Sequence, residues 1–140
     1  MKEYFDLKKF IIVTLVTSIW INISEVFRYF VFVMPEMRSS LSAVNDVAPM
    51  NFIVFSIWGA WDTLLTGLVV FIFWIYSQTY GNNIRSVVIS GTLSWGLLFV
   101  LFWVAMVNMG LAKWSILAIT LPLSWLELVV ASYIASKLYK

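Results

Sequence analysis

Four apolar runs, at residues 10–34, 50–77, 86–108 and 114–138, take up most of this 140-residue chain. Each has the roughly 20 or more residues that a helix needs to cross a hydrocarbon core about 30 Å thick. Within a bilayer the backbone has to satisfy its own hydrogen bonds, so runs of this kind read as helices. The expected fold is an all-α integral membrane protein: a single transmembrane domain over 1–140, built as an antiparallel bundle of four transmembrane helices. The composition agrees. The chain is 62% hydrophobic and 11% charged, whereas a soluble domain is about 45 to 50% apolar and about a quarter charged. No additional soluble domain is expected within these residues, and the expected location is a bacterial inner (plasma) membrane, multi-pass.

What the chain lacks narrows its chemistry. It has no Cys and no His, which removes disulfides, thiolate nucleophiles, the commonest metal ligand and the commonest general base. Chemistry falls to carboxylates, Arg, Tyr or hydroxyls, and no metal or cofactor is expected. A formal charge of +2 does not point to nucleic acid, because most of the Lys lie beside the spans, where they set orientation.

The chain begins with a polar, mixed-charge stretch through Lys9, and the first run lacks the short apolar core and small-residue cleavage site of a signal peptide, so it reads as an uncleaved span. Pro35 is expected to end it, since proline cannot extend the hydrogen-bond ladder. Met34, Met37, Leu41 and Val44 then recur at helical spacing among Arg38, Ser39, Ser40 and Ser42, a pattern that fits a short interfacial helix or an irregular loop. The second run starts after Pro49 and stops before the turn Tyr80-Gly81-Asn82-Asn83, and Gly110 marks the last turn. Lys2, Lys8, Lys9, Arg85, Lys137 and Lys140 fall on one side and only Arg38 and Lys113 on the other. Positive charge favours the cytoplasm, so both termini are expected there. Trp114 and Tyr29 near the outer ends, with Tyr4, Trp74, Tyr76, Tyr80 and Tyr139 near the inner ends, suit aromatic belts.

Against this background the charges inside the runs stand out. Glu25, Arg28, Asp62 and Glu127 sit at bilayer depth, where an ionised group costs at least a few kcal/mol and tends to be paired, wetted or used. Counted from the outer ends, the three acids lie roughly 13 to 20 Å deep at about 1.5 Å per residue, which puts them at one level. Arg28, one turn from Glu25, can pair with it or reach another helix. Three carboxyls against one guanidinium leave an excess of acid, so at least one is expected to carry a proton or hold a cation near neutral pH. Glue between helices is the competing reading.

Each run also carries a stripe of small or polar residues expected to meet in the interior. These are Thr14, Ser18, Asn22, Glu25 and Arg28; Ser56, Gly59, Asp62 or Thr63, and Thr66; Asn83, Ser86, Ser90 and Ser94; and Thr120, Ser124, Glu127 and Ala131. Pro122 removes the hydrogen bond to the carbonyl of Ala118, so the last helix should bend or leave an acceptor open. Trp58-Gly59-Ala60-Trp61-Asp62-Thr63 sets two large aromatics beside an acid, suited to an aromatic or cationic ligand, although aromatic stripes in apolar helices are more often packing. The expected cavity lining is Asn22, Trp58, Trp61, Ser94, Trp95, Ser124 and Trp125. Ser18-Ile19-Trp20 matches Ser56-Ile57-Trp58, and Leu93-Ser94-Trp95 matches Leu123-Ser124-Trp125. Such weak repeats occur by chance in a chain rich in Ser and Trp, and also in transporters with inverted repeats.

There is no Walker A loop, Gly-rich phosphate cradle, metal-binding helix motif or nucleophile elbow. In size, four spans and a first-helix glutamate, Glu25, the layout resembles that of small multidrug transporters, with no motif shared residue by residue. Three roles follow as expectations. The first is a proton- or cation-coupled carrier or channel working as a homo-oligomer, in which Glu25 and Glu127 bind the ion, Asp62 assists and Arg28 sets how readily they titrate. The second is a binding protein or enzyme for a lipid-like substrate, with a small cationic or hydrophobic ligand in a Trp-lined cavity. The third is a structural subunit of a larger complex; membrane lipids are partners in every case.

Overall fold

The computed structural model describes residues 4–42 and 49–140. Among these residues there is no strand, and four helices are long and apolar enough to cross a membrane: α1 (Leu7–Ser40), α2 (Phe52–Tyr80), α3 (Ile84–Asn108) and α4 (Trp114–Leu138). Their starts are capped as the sequence allows. The side chains of Asp6, Asn51 and Asn83 accept from the backbone N–H groups of Lys9, Val54 and Ser86 at 3.0 to 3.1 Å, which satisfies donors that have no partner within the helix. Gly81 and Gly110 follow α2 and α3 with φ of 80° and 72°, left-handed conformations that glycine adopts without a Cβ clash.

Pro35 does not end the first helix. It lies inside α1, which runs on to Ser40 after a π-helical turn at Tyr29–Val33. There the N–H of Met34 bonds the carbonyl of Tyr29, five residues back, and this wider turn takes up the break in the ladder that proline imposes. Met37 therefore belongs to α1, and the helical spacing of that segment comes from a continuation rather than a separate interfacial helix. Val44, the last position of that pattern, and Lys2 lie outside the described residues. A second π-helical turn, Gly96–Val100, interrupts α3. At 34 residues, α1 is about 50 Å long and must extend beyond the hydrocarbon core or tilt within it.

Three apolar layers hold the helices together. At the end where Lys9 of α1 donates to the carbonyl of Tyr139 and Asn82 donates to the carbonyl of Ser136, all four helices contribute: Val13, Val70, Phe73, Val87 and Ala135. The middle layer joins Ile21, Val69, Leu128 and Ala131, with Trp20, Trp95 and Phe99 packed against it. At the other end Trp103, Ile116 and Leu117 pack with Phe32 and Val33 of α1, and α2 contributes nothing to that layer. Most of the polar stripes turn inward: Ser18, Asp62, Thr66, Ser86, Ser90, Ser94, Thr120, Ser124 and Glu127 are buried. Ser56 is exposed. At Gly91 α3 lies close against α4: an added Cβ would lie 2.8 Å from the Cα of Val129.

Candidate functional site: a buried acid pair around Arg28

Two helices bring the charged residues together. Trp20, Ser24 and Arg28, spaced one helical turn apart, give α1 a face toward Glu127 of α4. The Trp20 indole donates to the Glu127 carbonyl at 3.0 Å, and the Ser24 hydroxyl donates to Oε2 of its carboxyl at 2.6 Å. Arg28 pairs with Glu25 one turn before it on the same helix, and its Nη2 stands 3.8 Å from Oε2 of Glu127. The Glu25 and Glu127 carboxyls thus approach the same guanidinium from two helices. The π turn of α3 contains Phe99, whose ring lies 4.6 Å from the Arg28 guanidinium carbon, within cation–π range.

Burial grades across the group. Glu127 is 1% exposed, whereas the Glu25 side chain keeps 21% of its surface. Oε1 of Glu127 and both Nε and Nη1 of Arg28 are covered yet have no hydrogen-bond partner in the protein. Such atoms are ordinarily satisfied by ordered water. The hydroxyls of Thr14, Thr17, Ser94 and Ser132 are covered and unpartnered as well. Asp62 is buried on α2 and lies within electrostatic range of Glu25, Arg28 and Glu127. Among the described residues its carboxyl makes no hydrogen bond or ion pair to the other three. No group of three or more His, Cys, Asp or Glu is arranged to hold a metal ion among the described residues.

The expected lining separates into three parts. Ser94 and Ser124 are buried in the interior. Asn22 donates to the carbonyl of Ser18, and its Oδ1 lies against Gly59 of α2. Trp58 and Trp61 do not line an interior cavity: they are 52% and 53% exposed and point away from the bundle. Trp95 and Trp125 sit on an outward-facing groove of about 620 Å³ beside Trp114, Leu121 and Pro122. Their indole N–H groups are already used, by the carbonyl of Leu121 and the hydroxyl of Thr92. The spacing of aromatics does not say which face of a fully apolar helix turns inward, because lipid accepts Trp as readily as a core does.

Sequence reasoning did not pick out Ser24, Trp20 or Phe99 as neighbours of the charges. Trp20, Ser24 and Arg28 do share a face at steps of four, a signal that could have found the first two. Nothing in the sequence announces Phe99, because the π turn shifts its register. No protein-family model, curated protein or solved structure matches the chain.

Proposed function

We propose that this chain is a multi-pass membrane protein that binds and passes a proton at the Glu25–Glu127 pair, as the coupling site of a carrier or channel. One observation carries the reading: two carboxyls from different helices share a single guanidinium in a covered, incompletely hydrogen-bonded pocket. If both were ionised, together with Asp62, the interior would hold excess negative charge, so one proton shared between the pair is the arrangement of lowest cost. Arg28 keeps the second carboxyl charged. A group that holds one proton under these conditions can also release it. A proton fits better than a metal cation, because no three acids converge as ligands among the described residues.

The same reading has adjacent helices antiparallel and both termini cytoplasmic. It is supported by the Lys and Arg bias of the ends and by the contacts of Lys9 with Tyr139 and of Asn82 with Ser136. The group lies within one chain, so no second copy is needed to complete it. A lipid-handling role draws on the groove beside Trp95, Trp114 and Trp125. That groove suits an acyl chain, but no acid or base lines it, which leaves a reaction there without a proton donor or acceptor.

Reconstitution into vesicles loaded with a pH-sensitive dye tests the proposal. Under an imposed gradient the parent should move protons, and Glu127→Gln and Glu25→Gln should lose that flux while keeping their helix content. Flux unchanged in both variants would remove the acids from the mechanism and leave them as glue between helices.

A further inference from the structure

The two ends of the bundle are not closed alike. At the terminal end the layer of Val13, Val70, Phe73, Val87 and Ala135 takes a residue from every helix, and each is 2% exposed or less. Tyr139 packs against it with its hydroxyl covered. At the other end the apolar layer draws on α1, α3 and α4 only. The first stretch of α2, residues 52–61, contains no buried residue. Within it Gly59 lies against Asn22 of α1. On that side α2 thus gives the interior no buried residue, and the apolar packing is made by the other three helices.

Burial also differs across the charged group. Glu25, with 21% of its side chain exposed, is the most accessible acid; Asp62 is buried at 8%, and the Glu127 and Arg28 side chains at 1% and 4% are more deeply covered. Burial that decreases toward an opening is what an access route produces, because the groups nearest water keep part of their solvation.

We infer that the acid group is reached by water between α1 and the first stretch of α2, by way of Asp62 and Glu25, and that the Val13–Val70–Phe73–Val87–Ala135 layer is the barrier closing it from the terminal end. This rests on the proton-handling reading for its purpose but not for its geometry. In this state the site faces the side of the α1–α2 connection. Passage across would require the five-residue layer to part, and the bulk of that layer is Phe73, the largest fully buried side chain among the described residues.

The chain has no cysteine, so a single introduced thiol is a unique reporter. Asn22→Cys and Asp62→Cys, in vesicles of known orientation, should react with a membrane-impermeant thiosulfonate reagent added on the α1–α2 connection side and be protected from the terminal side. Adding Phe73→Ala to Asp62→Cys should also admit the reagent from the terminal side, with a several-fold rise in rate. Val70→Thr, nearly isosteric, should do the same more weakly and guards against a Phe73 variant that fails to fold. Labelling from the terminal side in the parent background, or protection from both sides, would overturn the access route. An unchanged side preference in both layer variants would overturn the barrier. These results are independent of proton flux: labelling as expected with no flux sinks the proton reading alone, and flux with the opposite labelling sinks only the route.

Discussion

Arg28 is the residue on which the interior charge balance turns. It pairs with Glu25, stands near Glu127 and lies over Phe99. Arg28→Ala should destabilise the folded protein by about 3 to 5 kcal/mol, the cost of leaving a buried partner uncompensated. The double change Arg28→Met with Glu25→Gln should recover most of that stability without restoring proton flux, as read from unfolding in detergent beside a flux assay. At the terminal end Tyr139 makes a separate prediction. Its hydroxyl is covered and unpartnered, and burial, with a smaller part from the Asp6 charge, pushes its pKa from about 10 up to about 12. Between those values the unfolded chain releases the proton that the folded one keeps, so stability falls as pH rises through that window. Tyr139→Phe should abolish this alkaline loss and change little at neutral pH, as followed by thermal unfolding across pH. The charged residues were legible in the sequence because ionisable groups are rare in apolar runs. Ser24 was not, being one hydroxyl among many, and the outward orientation of Trp58 and Trp61 was not, because apolar surroundings exist on both sides of a membrane helix.

Among the elements, α1 and α3 depart most from what spacing alone predicts. The rule that proline stops a helix assumes a regular ladder, and the π turn before Pro35 removes that assumption. The matching turn in α3 brings Phe99 to Arg28, so the two irregular turns meet at the charged group, a common setting for such turns. The four helices themselves were legible from length and hydropathy. The closeness of α3 and α4 was foreshadowed only as a stripe of small residues. Two glycines in α3 test how much that closeness matters. Gly91→Ala places a Cβ 2.8 Å from the Cα of Val129 and should cost about 1 to 3 kcal/mol through forced separation of the helices. At Gly96 nothing lies within 4 Å of an added Cβ. Gly96→Ala should be neutral, or gain about 0.5 to 1 kcal/mol from reduced backbone freedom in the unfolded chain. Thermal midpoints in one detergent compare the two directly.

At the scale of the whole molecule, an apolar layer drawing on all four helices, a middle layer and a third layer without α2 stack along the bundle. Composition predicts only that the interior is apolar. Which layer α2 joins is a tertiary property with no local signal. Reporter fusions should place both termini on the cytoplasmic side, and an N-terminus accessible from outside would reverse the orientation drawn from Lys and Arg. The most direct measurement of the central claim is infrared difference spectroscopy of the carboxyl groups during a pH titration of the membrane-embedded protein. The parent should show a protonated-carboxyl band that disappears and returns with pH, and Glu127→Gln and Glu25→Gln should each remove or shift it in a bundle that is otherwise intact. An identical titration in the parent and both variants would contradict the shared-proton pair.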